Sequence, residues 1–223
     1  RLVMINPKKT SELKFVLAES YTVSDDGKTF DFKIRPGVKF HSGNDLTAED
    51  VAFSMIRYVK LDLNPAFILN QFGLTKDNVD KMVRVKDPMT VEVELDAAYS
   101  PSFFLNCLSY TSVVVDKKLA MEHESNGDFG HEWLKTHEAG SGPFMLKSWK
   151  PNDSFVLDAD PTYWDGPAKI KRVLIKNVTE SATQQLLLQK GDIDIARNLL
   201  GDQLKAVKSD PNIKFWSSPK STL

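Results

Sequence analysis

A mixed α+β chain of the α/β class is predicted by three stretches of sequence. Between positions 30 and 35, apolar Phe30, Phe32 and Ile34 alternate with polar Asp31, Lys33 and Arg35, the period-two signature of a strand with one buried face. After Thr47 the spacing changes: Val51, Met55 and Tyr58, flanked by Ala52 and Ile56, recur with helical period and give a helix one apolar face. From Val173 to Trp216 the pattern runs strand, helix, strand, helix, strand. Repeated units of that kind imply a parallel sheet with right-handed crossovers.

Taken in order, the chain opens with short apolar pieces at Leu2 to Ile5 and Leu13 to Leu17, parted by a turn at Asn6-Pro7-Lys8-Lys9. Ser24-Asp25-Asp26-Gly27 is a turn, since Asp bonds its own backbone and Gly accepts positive φ. Pro36-Gly37 breaks the Phe30 strand, which Val38 to Phe40 is expected to resume before a second turn at His41 to Asn44. Thr47 suits a helix N-cap, with Glu49 and Asp50 set against the positive end of the dipole. Leu61 to Lys76 reads as an irregular packed segment. Met82 to Val85 and Thr90 to Leu95 flank Asp87-Pro88 as a hairpin, the second strand presenting Val91, Val93 and Leu95 to one side. Pro101 begins a helix through Phe103, Phe104 and Leu108. Asp116 caps another, and Asp128 to His137 reads as a third.

The texture changes at Ala139-Gly140-Ser141-Gly142-Pro143, where two glycines and a proline mark a break. Phe144 to Trp149 and Ser154 to Leu157 form a hairpin around Pro151-Asn152-Asp153, followed by irregular Pro161 to Pro167. Val173 to Val178 is a strand. Ser181-Ala182-Thr183-Gln184 has the form of a capping box, leading to Leu186, Leu187 and Leu188 with Gly191 as C-cap. Asp192 to Ile195 is expected to be a strand, Asp202 to Lys208 a helix stopped by Pro211, and Ile213 to Trp216 the last strand.

At 223 residues the chain lies between one large domain and two small ones. A formal charge of −1 provides no global field for nucleic acid or an anionic membrane, so neither is expected as a partner. No apolar run approaches the roughly 20 residues that span a bilayer. Cys107 is the single cysteine, which excludes an internal disulfide and a multi-cysteine metal site. The chain starts Arg1-Leu2-Val3-Met4, like the middle of an element, and is expected to be a piece of a longer one whose export signal is not included.

Catalytic and metal motifs are weak. His131 and His137 bracket a sequence like H-E-x-x-H, but a zincin needs its histidines at i and i+4. A spacing of six turns the second about 240° around a helix. His41 and His123 lack a ligand-spaced partner. Gly140-Ser141-Gly142 has no G-x-S-x-G frame, and Ser11 to Lys14 and Ser217 to Lys220 match only the bare S-x-x-K. No Walker or dinucleotide fingerprint occurs. Trp149, Tyr163, Trp164, Phe215 and Trp216 could line a cleft, although aromatics more commonly carry core packing.

The segment LAESYTVSDDGKTFDFKIRPGVKFHSGNDLTAEDVAFSMIR, Leu17 to Arg57, closely resembles the signature of the family 5 extracellular solute-binding proteins. These are the peptide/nickel/oligopeptide-binding receptors of bacterial ABC importers. Similarity resumes over AGSGPFMLKSWKPNDSFVLDADPTYWDGPAKIKRVLIKNVTESATQQLLLQKGDIDIARNL, Ala139 to Leu199. There Asp160-Pro161-Thr162-Tyr163-Trp164 stands for the family's Asn-Pro-x-Tyr-Trp, and Ser141 for the more usual Thr.

The resemblance implies a type II periplasmic-binding-protein fold, present in part. Residues 1–23 would belong to a first, sheet-bearing lobe, 24–139 to an inserted α+β subdomain, and 140–223 to the continuation of the first lobe, ending at the crossing to a second lobe. It implies capture of a peptide-like or other small solute by hinge closure and delivery to a membrane permease, without cofactor, metal or catalytic residue. The setting would be periplasmic, or lipoprotein-anchored at the cell surface. Gly140, Ser141, Gly142 and Pro143 become the hinge or crossing. Phe215, Trp216, Ser217 and Ser218, at the carboxyl end of the last expected parallel strand, become candidate ligand contacts. Weak binding without the second lobe, and an exposed apolar face where it would dock, are expected. A hydrolase or metal-dependent enzyme and a peptide-binding chaperone-like module are the alternatives.

Overall fold

Four antiparallel strands and the helices packed with them carry the main core. The computed structural model describes residues 1–9, 11–197 and 199–216, and they divide into two compact units, 1–147 with 157–173 and 148–156 with 174–223. In the first, Val3–Ile5 (β1) pairs antiparallel with Leu13–Phe15 (β2). Ala18–Val23 (β3), Thr29–Ile34 (β4), Val83–Asp87 (β5) and Thr90–Glu94 (β6) form an antiparallel sheet in the order β3-β4-β6-β5. The alternation read from sequence appears as burial: Phe30, Phe32 and Ile34 are fully buried, with Val93 opposite Phe30 and Val91 opposite Phe32. The other face carries charge, with Lys86 on Asp31 at 2.6 Å and Arg84 between Glu92 and Glu94.

Helix α1 (Ala48–Leu61) begins behind Thr47, whose N–H and hydroxyl both donate to Asp50 Oδ2, at 2.9 and 3.0 Å. Its buried Val51, Ala52, Met55 and Val59 join the core. Two short helices follow, α2 (Phe67–Asn70) and α3 (Val79–Met82), then α4 (Pro101–Thr111), α5 (Lys117–Glu122) and α6 (His131–Leu134). From α4, Phe104 reaches within 4.8 Å of the Phe30 ring and 4.9 Å of the Phe72 ring. Each such buried side chain contributes about 1.5–3 kcal/mol.

Several expectations for this unit are corrected. Strand β3 leaves no clear mark in the sequence, because its largely exposed residues blur the alternation. Val38 to Phe40 does not resume a strand. It closes a tight turn instead, with Phe40 N–H donating to Asn44 and a single bridge between Lys39 and Asp45. The helix expected from Asp128 to His137 shrinks to α6. The Asp128 carboxylate takes the N–H groups of Ser125, Gly130 and Glu132, and Phe129 and Gly130 have φ of 52° and 71°, which a right-handed helix does not tolerate.

Beyond the break, Phe144–Lys150 (β7), Ser154–Ala159 (β8) and Arg172–Lys176 (β9) are hydrogen-bonded in that order. Ala159 N–H donates to Lys171 O, and Asn177 N–H to Asp153 O. Numbers rising along β8 meet numbers falling along β9, so this pair is antiparallel. Helices α7 (Ser181–Lys190) and α8 (Gly201–Lys208) follow and pack on each other. The expected strands at Asp192 to Ile195 and Ile213 to Trp216 are not formed, and the parallel sheet they required is absent among the described residues. A strand exists only where a neighbouring strand takes its N–H and C=O groups. Here Asp192 N–H turns back to Leu187 O and Ile213 N–H to Asp210 O, no strand lies alongside among the described residues, and Ile195 stays 77% exposed. The capping box is also not made: Glu180 holds the N-cap of α7, Ser181 Oγ accepts from Leu200 N–H at 3.0 Å, and Gln184 donates to Val178 O at 2.7 Å.

Candidate functional site

The Gly140–Pro143 segment, singled out by its glycines and proline, is held by the distant His41, the adjacent Glu138 and backbone bonds from Asp116 and Asp160. His41, from the turn after the Phe30 strand, places Nε2 2.8 Å from Gly142 O and Nδ1 2.8 Å from both carboxylate oxygens of Glu138. Its backbone N–H donates to Gly140 O at 2.9 Å, and Gly140 N–H donates to Glu138 Oε2 at 2.9 Å. On either side, Asp116 N–H donates to Ala139 O and Asp160 N–H to Pro143 O, at 2.9 and 3.0 Å. Gly140 permits this closeness: a Cβ there would stand 3.1 Å from Glu138 Oε2 and 3.7 Å from His41 Cε1.

The His41 side chain is only 7% exposed. Burial disfavours its charged form, but the Glu138 carboxylate, the Gly142 carbonyl and the field of Asp160 outweigh that and raise its pKa above the ordinary value. With hydrogen-bond partners at both nitrogens, the ring is engaged on both sides by this segment. Asp116 buttresses the same turn. Its carboxylate accepts from Ser42 Oγ at 2.6 Å, Asn44 Nδ2 at 2.8 Å and Leu119 N–H at 3.0 Å.

Phe215 and Trp216 belong to the second unit, 41% and 90% exposed. They follow α8 without strand pairing, and Lys208 Nζ lies 4.4 Å from the centre of the Phe215 ring, a cation–π contact. Ser217 and Ser218 lie outside the described residues.

Two of the histidines near α6, His123 and His137, each stack on the Trp133 ring, at 4.3 and 4.5 Å between ring centres. No group of three ligating side chains occurs among the described residues. Tyr163-Trp164 has a packing role: the Arg35 guanidinium sits 4.3 Å over the Trp164 ring, which packs against the core, and Lys14 pairs with Asp165 at 3.1 Å.

The family model for bacterial extracellular solute-binding proteins, family 5 Middle, matches residues 12–223. This chain belongs to that family. Among curated relatives of this family 5 chain, the probable D,D-dipeptide-binding periplasmic protein DdpA of Escherichia coli K12 and the glutathione-binding protein GsiB of Escherichia coli O157:H7 are each 32% identical over 212 residues. The match covers 95% of this chain and 39% of each relative, so the chain spans about two fifths of their length. Among solved structures, the substrate-binding domain of an oligopeptide ABC transporter from Bacillus anthracis str. Ames superposes with a TM-score of 0.78 at 26% identity, over 94% of this chain and 41% of that one. The oligopeptide-binding protein AppA of Bacillus subtilis, in complex with a nonapeptide, gives 0.71 at 28%, over 86% and 36%.

The fold of the family 5 chain is that of the type II periplasmic binding proteins, a mixed α/β class. No helix among the described residues is long and apolar enough to cross a membrane. Sequence reasoning missed His41 and Glu138 as the residues that hold the Gly140–Pro143 segment. They are 97 positions apart, and no local spacing connects them.

Proposed function

We propose that this chain is part of the substrate-binding component of an ABC import system, capturing a peptide-like solute and presenting it to a membrane permease from the periplasm or the outer cell surface. The match of the family model over residues 12–223 carries this reading. Its relatives, a probable D,D-dipeptide-binding protein, a glutathione-binding protein and an oligopeptide-binding protein in complex with a nonapeptide, agree in ligand class. Such chemistry requires no bond to be made or broken and no cofactor. Closure follows from contacts that favour the closed form over the open one.

In this reading residues 1–23 and 140–223 belong to a sheet-bearing lobe and 24–139 to a subdomain inserted in it, with Gly140 to Pro143 as the return crossing. Phe215, Trp216, Ser217 and Ser218 contribute to the solute site. Trp216 supports that role by its exposure, since a large aromatic face left at 90% accessibility is available for stacking or apolar contact.

Native mass spectrometry of the protein isolated from its own cells, without ligand exchange, tests the reading. A retained mass in the small-peptide range, released on unfolding, is the expected result. A protein that carries no added mass, gives no heat with di- and tripeptides or glutathione in its native length, and turns over ester or peptide substrates would overturn it in favour of a hydrolase.

A further inference from the structure

We infer that His41 is a proton-dependent clip on the Gly140–Pro143 crossing: charged, it holds Gly142 and Glu138 together, and neutral, it must release one of them. The inference concerns the fold of the first unit and does not rest on the solute-capture reading.

The argument is one of donors and acceptors. Both ring nitrogens of His41 lie 2.8 Å from groups that can only accept, the carbonyl of Gly142 and the carboxylate of Glu138. A neutral imidazole has one N–H and one lone pair. If the N–H stays on Nε2, the Nδ1 lone pair faces a carboxylate. If it stays on Nδ1, the Nε2 lone pair faces a carbonyl oxygen. Either arrangement leaves a repulsive contact at a side chain that is 7% exposed, where water cannot readily relieve it.

The two carboxylates that act on His41 both favour its charged form. Glu138 meets it directly, and Asp160 acts from the end of β8. Asp116 stands behind Ser42 with its oxygens engaged by Ser42, Asn44 and Leu119 N–H. On the turn itself, Lys39 and Asp45 pair with each other at 2.6 Å. Burial opposes the charge and the carboxylates and carbonyl favour it, with the balance toward the proton. The folded state therefore binds this proton more tightly than the unfolded chain. The clip's contribution is complete below the ordinary histidine pKa and is lost as pH rises through the higher folded value.

The test is amide hydrogen exchange of the 223-residue chain between about pH 6 and about pH 9, corrected for intrinsic rate, with ¹⁵N NMR of the His41 ring across the same range. Both ring nitrogens should be protonated at the acid end. Protection at His41, Gly140 and Asp160 should fall by roughly tenfold for each unit by which the folded pKa exceeds the ordinary one, while amides within α1 stay constant. Glu138→Gln is the discriminating variant. Its amide can donate to Nδ1 of a neutral ring while its carbonyl still accepts from Gly140 N–H, so the crossing should stay protected and its pH dependence should disappear. Protection at the crossing that is flat with pH, a ring carrying one proton at about pH 6, or Glu138→Gln retaining the wild-type pH dependence would each overturn the inference. If Glu138→Gln does not fold, the wild-type ring spectra and exchange profile decide alone.

Discussion

Asp116→Ala should be the most costly single polar substitution around the Gly140–Pro143 segment. The carboxylate is 1% exposed and receives three donors: Ser42 Oγ at 2.6 Å, Asn44 Nδ2 at 2.8 Å and Leu119 N–H at 3.0 Å. The last is the N-cap of α5, worth about 1 kcal/mol. The bond from Asn44 is charge-assisted and only partly solvated when lost, worth about 1.5 kcal/mol. Ser42 is exposed and can turn to water, so its bond counts near the neutral value of about 1 kcal/mol. A loss of about 3.5 kcal/mol is expected at neutral pH. Asp116→Asn keeps one oxygen for Leu119 N–H but sets its amide against that of Asn44, and should cost about half as much.

Urea unfolding at constant slope measures both variants. Burial alone would raise the Asp116 pKa, but Ser42, Leu119 N–H and Asn44 hold it below the ordinary carboxylate value. The folded state thus binds this proton less tightly than the unfolded chain. Its contribution is present above the unfolded pKa and is lost as pH falls through the folded one, so the gap between wild type and Asp116→Ala should narrow in acid. A cost below about 1 kcal/mol, an equal cost for both variants, or a gap that widens in acid would refute this reasoning.

Phe104→Ala, in the ring cluster with Phe30 and Phe72, should destabilise the first unit by about 3–5 kcal/mol, read by thermal or urea unfolding. Gly130→Ala should cost more than about 2 kcal/mol, because φ is 71° and a Cβ would run into the Ala120 carbonyl oxygen. Circular dichroism melts should show it well below a Gly37→Ala control, where φ is similar but the space is open. Arg84→Ala, removing pairs to Glu92 and Glu94 from a side chain 43% exposed, should cost less than about 1 kcal/mol and less still in high salt.

What could be read from the sequence follows from the range of each interaction. The Phe30–Phe32–Ile34 alternation, the Thr47 helix start and the Val91–Val93–Leu95 face are local patterns set by the period of one element, and the structure reproduces them. Asp192-Ile193-Asp194-Ile195 has the same alternation, yet forms no strand. The pattern gives which side chains could share a face, whereas strand formation needs a second backbone, which sequence spacing does not supply. Ile195 at 77% exposure and Leu200 at 67% mark where that support is missing among the described residues.

Residues 140–143 show the same limit in the opposite sense. Gly140-Ser141-Gly142-Pro143 reads as a break, expected to be a hinge or crossing, but the carbonyls of Ala139, Gly140, Gly142 and Pro143 all accept hydrogen bonds, from Asp116, His41 and Asp160. A segment whose carbonyls are this fully committed does not pivot freely. Any rotation at these residues must first break at least one of those bonds. Gly140 serves close approach to Glu138 and His41, as the clearance of its missing Cβ indicates. If lobe closure bends the chain here, the cost of bending is set partly at His41, 97 positions from Glu138, by whether that ring carries its second proton.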